Sequence, residues 1–327
     1  MLGGGAVKRV RPGVEEVAST VERLAALLGA GVAPRSAWKH LAEADGGGAV
    51  GGIAVRIRAG DDMAVAIASA AEGRGAGSAS RRRPRARRTD PQERAAWLVL
   101  AVAWAVADES GAPFGRCLTD LASALTQVGM VQRDVAAALA GPRATARMVT
   151  ALPLVTVLGG SLIGLDPLRV LLGTPLGGVC LAGGLLLLLL SRLWTGRLIA
   201  RSRSDPAALD LDLDLLAVAV GGGGSIENAS MVVAHARARL GAPDGGGGGE
   251  AAERILLLAA RAGAAPADLL RGEAARRRRD AIGIARADAA ALGVWLMLPL
   301  GLCVLPAFLL LSVAPVFLGV LAETAAI

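Results

Sequence analysis

The sequence predicts an all-α integral membrane protein in which two related cytoplasmic helical-bundle half-domains alternate with three transmembrane helices, or four. Three observations predict it. Of the 327 residues 54% are hydrophobic, and the mean hydropathy of +0.52 is too high for an ordinary pair of soluble domains. Charge-free runs of membrane-spanning length interrupt the chain. The segments between them carry helical periodicity, and no convincing strand appears.

The first residues, MLGGGAVKRVRPGVEEV, are basic without an apolar run behind them. They are neither a secretory signal nor a first span, so the chain is expected to start in the cytoplasm. Val14, Val17, Val21, Leu24 and Leu28 recur at three- and four-residue steps while Glu15, Glu16, Glu22 and Arg23 take the other face, an amphipathic helix that ends at Gly29–Gly31. Helical spacing resumes over residues 33–44 after Pro34, again over 61–72 with an acidic pair at its start, and over 93–109 and 116–140. Residues 73–91, with their arginine cluster at 81–88, and residues 242–249, with five consecutive glycines, read as flexible linkers. In the DLDLD run Asp210, Asp212 and Asp214 alternate with leucines. Leu209, Leu213, Leu216 and Val220 nevertheless share one helical face, so the run reads as helix with a solvated acidic side.

Residues 148–165 and 170–191 carry no charge and are separated by Asp166, Pro167, Leu168 and Arg169. So short a gap can only be a tight turn, which makes the pair a helical hairpin. Pro153 and Pro175 lie near the entering ends, where a missing amide is tolerated. A third charge-free run, 289–322, fits one span with an interfacial tail, or a tight hairpin turning near Pro306 or Pro315. Arg143, Arg147, Arg192, Arg197, Arg201, Arg203, Arg276–Arg279 and Arg286 flank the runs on one side, and only Arg169 lies on the other. The positive-inside rule therefore assigns 1–147 and 195–288 to the cytoplasm, as two half-domains, and 148–194 and 289–322 to the membrane. Trp194 and Trp295 fall at the expected water boundaries.

The half-domains resemble each other. Gly29 and Ala37 map onto Gly221 and Ala229 at one offset, Gly111 and Leu118 onto Gly263 and Leu270 at another, and Leu152, Pro153, Leu154 match Leu298, Pro299, Leu300. Because 82 residues separate Gly29 from Gly111 but only 42 separate Gly221 from Gly263, the second copy lacks about a helix and the arginine linker. The pattern reads as an eroded duplication.

Several apparent sites dissolve on inspection. The four glycines before Ser225 lack the lysine of a phosphate loop, and no GKS or GKT occurs. The DLDLD run lacks the glycine and the twelfth-position glutamate of a calcium loop. His40 and His235 stand alone, and Cys117, Cys180 and Cys303 are far apart, so neither metal ligation nor a disulfide framework is expected. Asp166 has no partner aspartate within a span, and no nucleophile–base pair is evident. No catalytic residue, cofactor or metal is assigned. The net charge of +7 is carried by arginine; with no aromatic residues around the 81–88 cluster, it points to linker and lipid rather than nucleic acid. A small multispanning transporter or permease subunit is the competing reading, and it would need more polar residues in the spans.

The stretches LAALLGAGVAPRSAWKHLAEA at 24–44, ADESGAPFGRCLTDLA at 107–122, GPRATARMVTALPLV at 141–155 and MLPLGLCVLPAFLLL at 297–311, in this order and with this span pattern, resemble the type II secretion F-protein family. Within that family they are similar to the platform proteins of tight-adherence (Tad) pilus systems. The resemblance implies a non-enzymatic, multi-pass platform in the bacterial cytoplasmic membrane. Such a platform works with a separate secretion ATPase, pilin or pseudopilin subunits, membrane lipids, and itself or a paralogous platform protein. Carried onto this chain, it makes Glu109, Gly111, Pro113 and Gly263 candidates for shaping an interaction surface, with Pro153 and Pro299 facing pilin helices. The second half departs from the pattern, with Arg261 standing where the first has Glu109.

Overall fold

The computed structural model describes residues 13–45, 47–73, 90–138, 173–201, 211–243, 249–295 and 297–315, with isolated positions between 140 and 159 and at 317. All regular structure among them is helical. Most of the expected first span, with Pro153 and the 166–169 turn, lies outside the described residues, as do the arginine cluster at 81–88 and the glycines at 245–248.

The chain divides into two compact units: Met1–Arg133 with Asp205–Gly283, and Asp134–Ser204 with Ile284–Ile327. In the first, α1 (Gly13–Gly29), α2 (Pro34–Asp45), α3 (Gly48–Ala59), α4 (Met63–Ala71), α5 (Pro91–Ser110) and most of α6 (Phe114–Ala138) pack with α8 (Asp212–Gly221), α9 (Ile226–Leu240), α10 (Gly249–Ala262) and the start of α11 (Pro266–Trp295). Both sequence segments contribute to one hydrophobic cluster, running from Val14 and Leu24 through Trp38, Trp104 and Leu125 to Leu213, Ala229 and Leu270.

Helix α5 is the hub. α1, α4, α8 and α9 all pack on it, and residues from Ala96 to Ala107 are almost entirely buried. An all-round apolar helix is stable only when surrounded in this way. Asp90 caps it by accepting from the Gln92 amide at 3.3 Å, and Pro91 opens it, where a missing N–H costs nothing. Trp104 packs between Trp38 and Phe114 at centroid distances of 6.2 and 4.9 Å with the ring planes tilted by 53° and 43°, within the separation at which aromatic pairs attract.

Helix α1 follows its sequence pattern: Val14, Val17, Val21 and Leu24 are buried, and Glu15 and Glu16 occupy the first turn, where the helix dipole favours acids. It runs antiparallel to α6. Gly115 sits against Gly29, Thr126 donates to Glu22 at 2.9 Å, and Arg133 pairs with Glu15 at 2.5 Å. Helix α3, which sequence reading passes over, buries Val50, Ile53, Ala54 and Ile57 and ends at Gly60 with φ 99°.

In the second unit α7 (Pro175–Arg201) packs against the apolar continuation of α11 through Met297–Pro299, Leu305–Phe308 and two π-helical segments, Leu300–Val304 and Leu309–Val313. Each π segment follows a proline, Pro299 or Pro306, whose ring and missing amide displace the regular bonding pattern. The Leu311 side chain fills the space beside Gly184, where a Cβ would lie 2.8 and 2.9 Å from its two methyls. Small residues permit such approach between membrane helices. The outer faces stay apolar, with Leu186, Leu189, Leu302 and Leu305 58–68% exposed. Among the described residues two helices, Pro175–Leu198 and Pro266–Val313, are long and apolar enough to cross a membrane.

Candidate interaction site at the paired helix turns

Helices α5 and α10 end alike. Gly111 and Gly263 adopt φ of 70° and 63°, a left-handed conformation that costs glycine nothing. The next amides, of Ala112 and Ala264, donate to the carbonyls of Ala107 and Ala259, both at 3.1 Å. Two residues later in each case a new helix starts, α6 at Phe114 and α11 at Pro266.

The two turns meet. A cleft of about 310 Å³ is lined by Pro113, Arg116 and Cys117 from one side and by Gly221, Ala265–Asp268 and Arg271 from the other. A chain of charges crosses it: Arg116 pairs with Asp268 at 3.1 Å, Asp268 with Arg271 at 2.9 Å, and Arg271 Nε with Asp120 at 3.0 Å. Arg116 and Asp268 are both more than 60% exposed, so that link directs geometry more than it adds stability.

Of the candidate residues, Gly111 forms the α5 cap, Pro113 lines the cleft, and Gly263 forms the opposite cap two residues before the lining begins. Glu109 is exposed on the last turn of α5 and does not line the cleft. Pro299 lies in the second unit, buried at the start of the first π segment. Pro153 lies outside the described residues.

The pair 116–268 is separated by 152 positions, the offset that superposes Gly111 on Gly263. In the second unit Asp134 pairs with Arg286 at 2.7 Å, again 152 apart. Within the first unit Arg116 meets Asp268 and Asp120 meets Arg271, so there α6 and α11 start side by side in the same direction.

The acidic face expected to be solvated is not. Asp212 pairs with Arg237 and Asp214 with Arg278, and all four side chains are only 11–17% exposed. The reason is packing: Leu213, Leu215 and Leu216 bury α8 in the middle of the unit, and a carboxylate carried in with them needs a cation. Arg278 thus has a structural partner beyond any role in orienting the chain. Its neighbours Arg276 and Arg277 hydrogen-bond Glu273, and the bond from Arg276 lowers that carboxyl to about 2. The sequence signal is a pair of acids at i and i+2 opening a helix otherwise wholly apolar.

Cys117 and Cys303 are buried and Cys180 is half-buried, all as free thiols. Burial, reinforced by the nearby Asp120 charge, pushes Cys117 up to about 12. Such a thiol is a packing group rather than a nucleophile. Among the described residues no group of three or more histidine, cysteine, aspartate or glutamate side chains could hold a metal ion.

The family model for type II secretion system protein F matches residues 20–160. The matched stretch takes in the second half of α1, then α2 to α6, and reaches into the expected first span; it contains Glu109, Gly111 and Pro113. Neither the curated proteins nor the solved structures compared yield a significant match to the chain.

Proposed function

We propose that the chain is a non-enzymatic platform of a type II secretion or Tad-type pilus assembly machine in the bacterial cytoplasmic membrane. In this reading it couples a separate cytoplasmic ATPase to extraction and polymerisation of pilin-like subunits. The observation that carries the proposal is the F-protein domain at 20–160 on a chain that also has membrane-length apolar helices. Force from an ATPase reaches a lipid-embedded subunit only through a body with both a water-facing surface and membrane helices. The helix Pro266–Val313, 48 residues long, carries charged positions such as Asp268 and Arg278 on the same stretch of chain as the apolar run.

The division into half-domains 1–147 and 195–288, membrane segments 148–194 and 289–322, and an N-terminus in the cytoplasm is part of the same proposal. The matched caps at Gly111 and Gly263, the fully buried Leu118 and Leu270 and the pairing at offset 152 support a duplicated origin. Glu109, Gly111, Pro113 and Gly263 are placed at the surface offered to partners, and Pro153 and Pro299 on helices that meet pilin.

The test is biochemical reconstitution. The purified full chain is expected to hydrolyse no ATP alone and to bind its cognate secretion ATPase, and its deletion is expected to abolish pili or secretion. ATP turnover by the chain itself, or normal assembly without it, overturns the proposal.

A further inference from the structure

In the second unit the apolar continuation of α11 buries every fourth residue. Pro299, Cys303, Ala307 and Leu311 are buried, and the residues midway between them, Leu305, Leu309 and Val313, are exposed. An α-helix completes a turn in about 3.6 residues, so a step of four overshoots by about 40°, and the three steps from Pro299 to Leu311 overshoot by about 120°. A helix that stayed α would therefore swing Leu311 off the face that carries Pro299. Leu310, one residue and about 100° back, would come nearest to its place. Instead Leu311 is 6% exposed and fills the space beside Gly184, while Leu310 reaches only the neighbouring Gly183, 3.6 Å from a Cβ built there.

The π segment Leu300–Val304 makes up the difference. Bonding to the fifth residue instead of the fourth puts one more residue into the turn, and one residue is worth about 100°, nearly the whole overshoot. Pro299 stands directly before the segment. Its missing N–H leaves the carbonyl four residues earlier without the usual donor, and its ring crowds that carbonyl. Helix α7 needs no such adjustment, because it buries Gly177, Gly184 and Ser191 at steps of seven, two ordinary turns apart.

We infer that Pro299 is a positioning residue that sets the rotational register of the C-terminal apolar helix on α7. By opening a π turn it seats Leu311 rather than Leu310 beside Gly184, and it keeps Leu305, Leu309 and Val313 as one outward strip. Being buried, Pro299 acts on anything that meets this strip through the register alone. The inference goes beyond the platform reading and does not depend on it.

The experiment uses the full chain in membranes, with Cys117, Cys180 and Cys303 replaced by alanine. Gly184→Cys with Leu311→Cys is expected to close a disulfide on mild oxidation, read as two thiols protected from a maleimide gel shift, and Gly184→Cys with Leu310→Cys is not. Adding Pro299→Ala lets the turn revert to α and moves the link from position 311 to position 310. Deleting Leu302 as well, an exposed residue inside the π segment, removes the surplus residue and returns the link to position 311. A proline that serves stability alone gives a different pattern: Pro299→Ala loses the 311 link without gaining the 310 link, and the deletion does not recover it. That pattern overturns the inference, as does a 311 link that survives Pro299→Ala, or its absence from the parent chain. If Pro299→Ala alone does not accumulate, the variant that also lacks Leu302 still decides: a 311 link there supports the inference, and its loss overturns it.

Discussion

Gly222 lies against the backbone of Ser110, so close that a Cβ built on it would sit 2.8 Å from the Ser110 carbonyl carbon and nearer still to the oxygen. The turn after α8 is thereby clamped onto the last turn of α5, between Glu109 and the Gly111 cap. Gly222 has a φ of −76°, which any residue adopts, so its requirement for glycine is purely steric. Gly222→Ala is expected to destabilise the first unit by about 1–3 kcal/mol. Gly29→Ala, at the corresponding helix end with nothing within 4 Å of the added atom, is expected to be neutral or slightly stabilising. Thermal unfolding in detergent separates the two.

The half-buried pair Asp214–Arg278 should behave unlike the exposed pair Arg116–Asp268. Arg278→Met removes the cation paired with a carboxylate that is 17% exposed and is expected to cost about 3 kcal/mol, the lower end of the range for breaking buried pairs. Asp214→Leu in the same chain should recover much of that loss. Arg116→Ala is expected to cost under about 1 kcal/mol. A double-mutant cycle on denaturant midpoints gives the coupling, and a value near zero for Asp214–Arg278 would refute the assignment.

Cys117 should be silent to thiol reagents. Its folded value is raised to about 12 from a reference of 9.0, so the protonated form is favoured in the folded state. The resulting stability is fully present below pH 9 and is lost as pH rises toward 12. At pH 8, maleimide labelling of Cys117 is expected only after unfolding, with the rate following the unfolding transition.

Gly184→Ile should disrupt the second unit, because the added atoms enter the space held by Leu311. Gly178→Ile, where nothing lies within 4 Å, faces open surroundings and should insert and persist normally. Protease resistance in membranes distinguishes them.

Glu109→Arg is expected to weaken pilus or secretion assembly while leaving the chain in the membrane. Glu109 is exposed and lines no cavity found in the first unit, so the substitution should leave the unfolding temperature within a degree or two, corresponding to about 0.5 kcal/mol or less. Normal piliation in that variant counts against a partner-facing role.

Local patterning sufficed wherever an element's identity depends on its own residues. The α1 stripe of Val14, Val17, Val21 and Leu24, the break between helices at Gly111, and the apolar helix over most of the charge-free 170–191 run are legible, because periodicity, glycine punctuation and missing charge are properties of short stretches. Their order also carried the resemblance to the F-protein family. Tertiary structure alone decided the rest. Gly48, Gly51 and Gly52 weaken helical propensity over 48–59, yet burial of Val50, Ile53 and Ile57 outweighs that cost. Whether Asp212 and Asp214 meet solvent depends on what encloses α8, and Arg237 and Arg278 reach them from 25 and 64 positions away. Likewise the side-by-side start of α6 and α11 depends on what each packs against. Those are long-range contacts, and no window of neighbouring residues contains them.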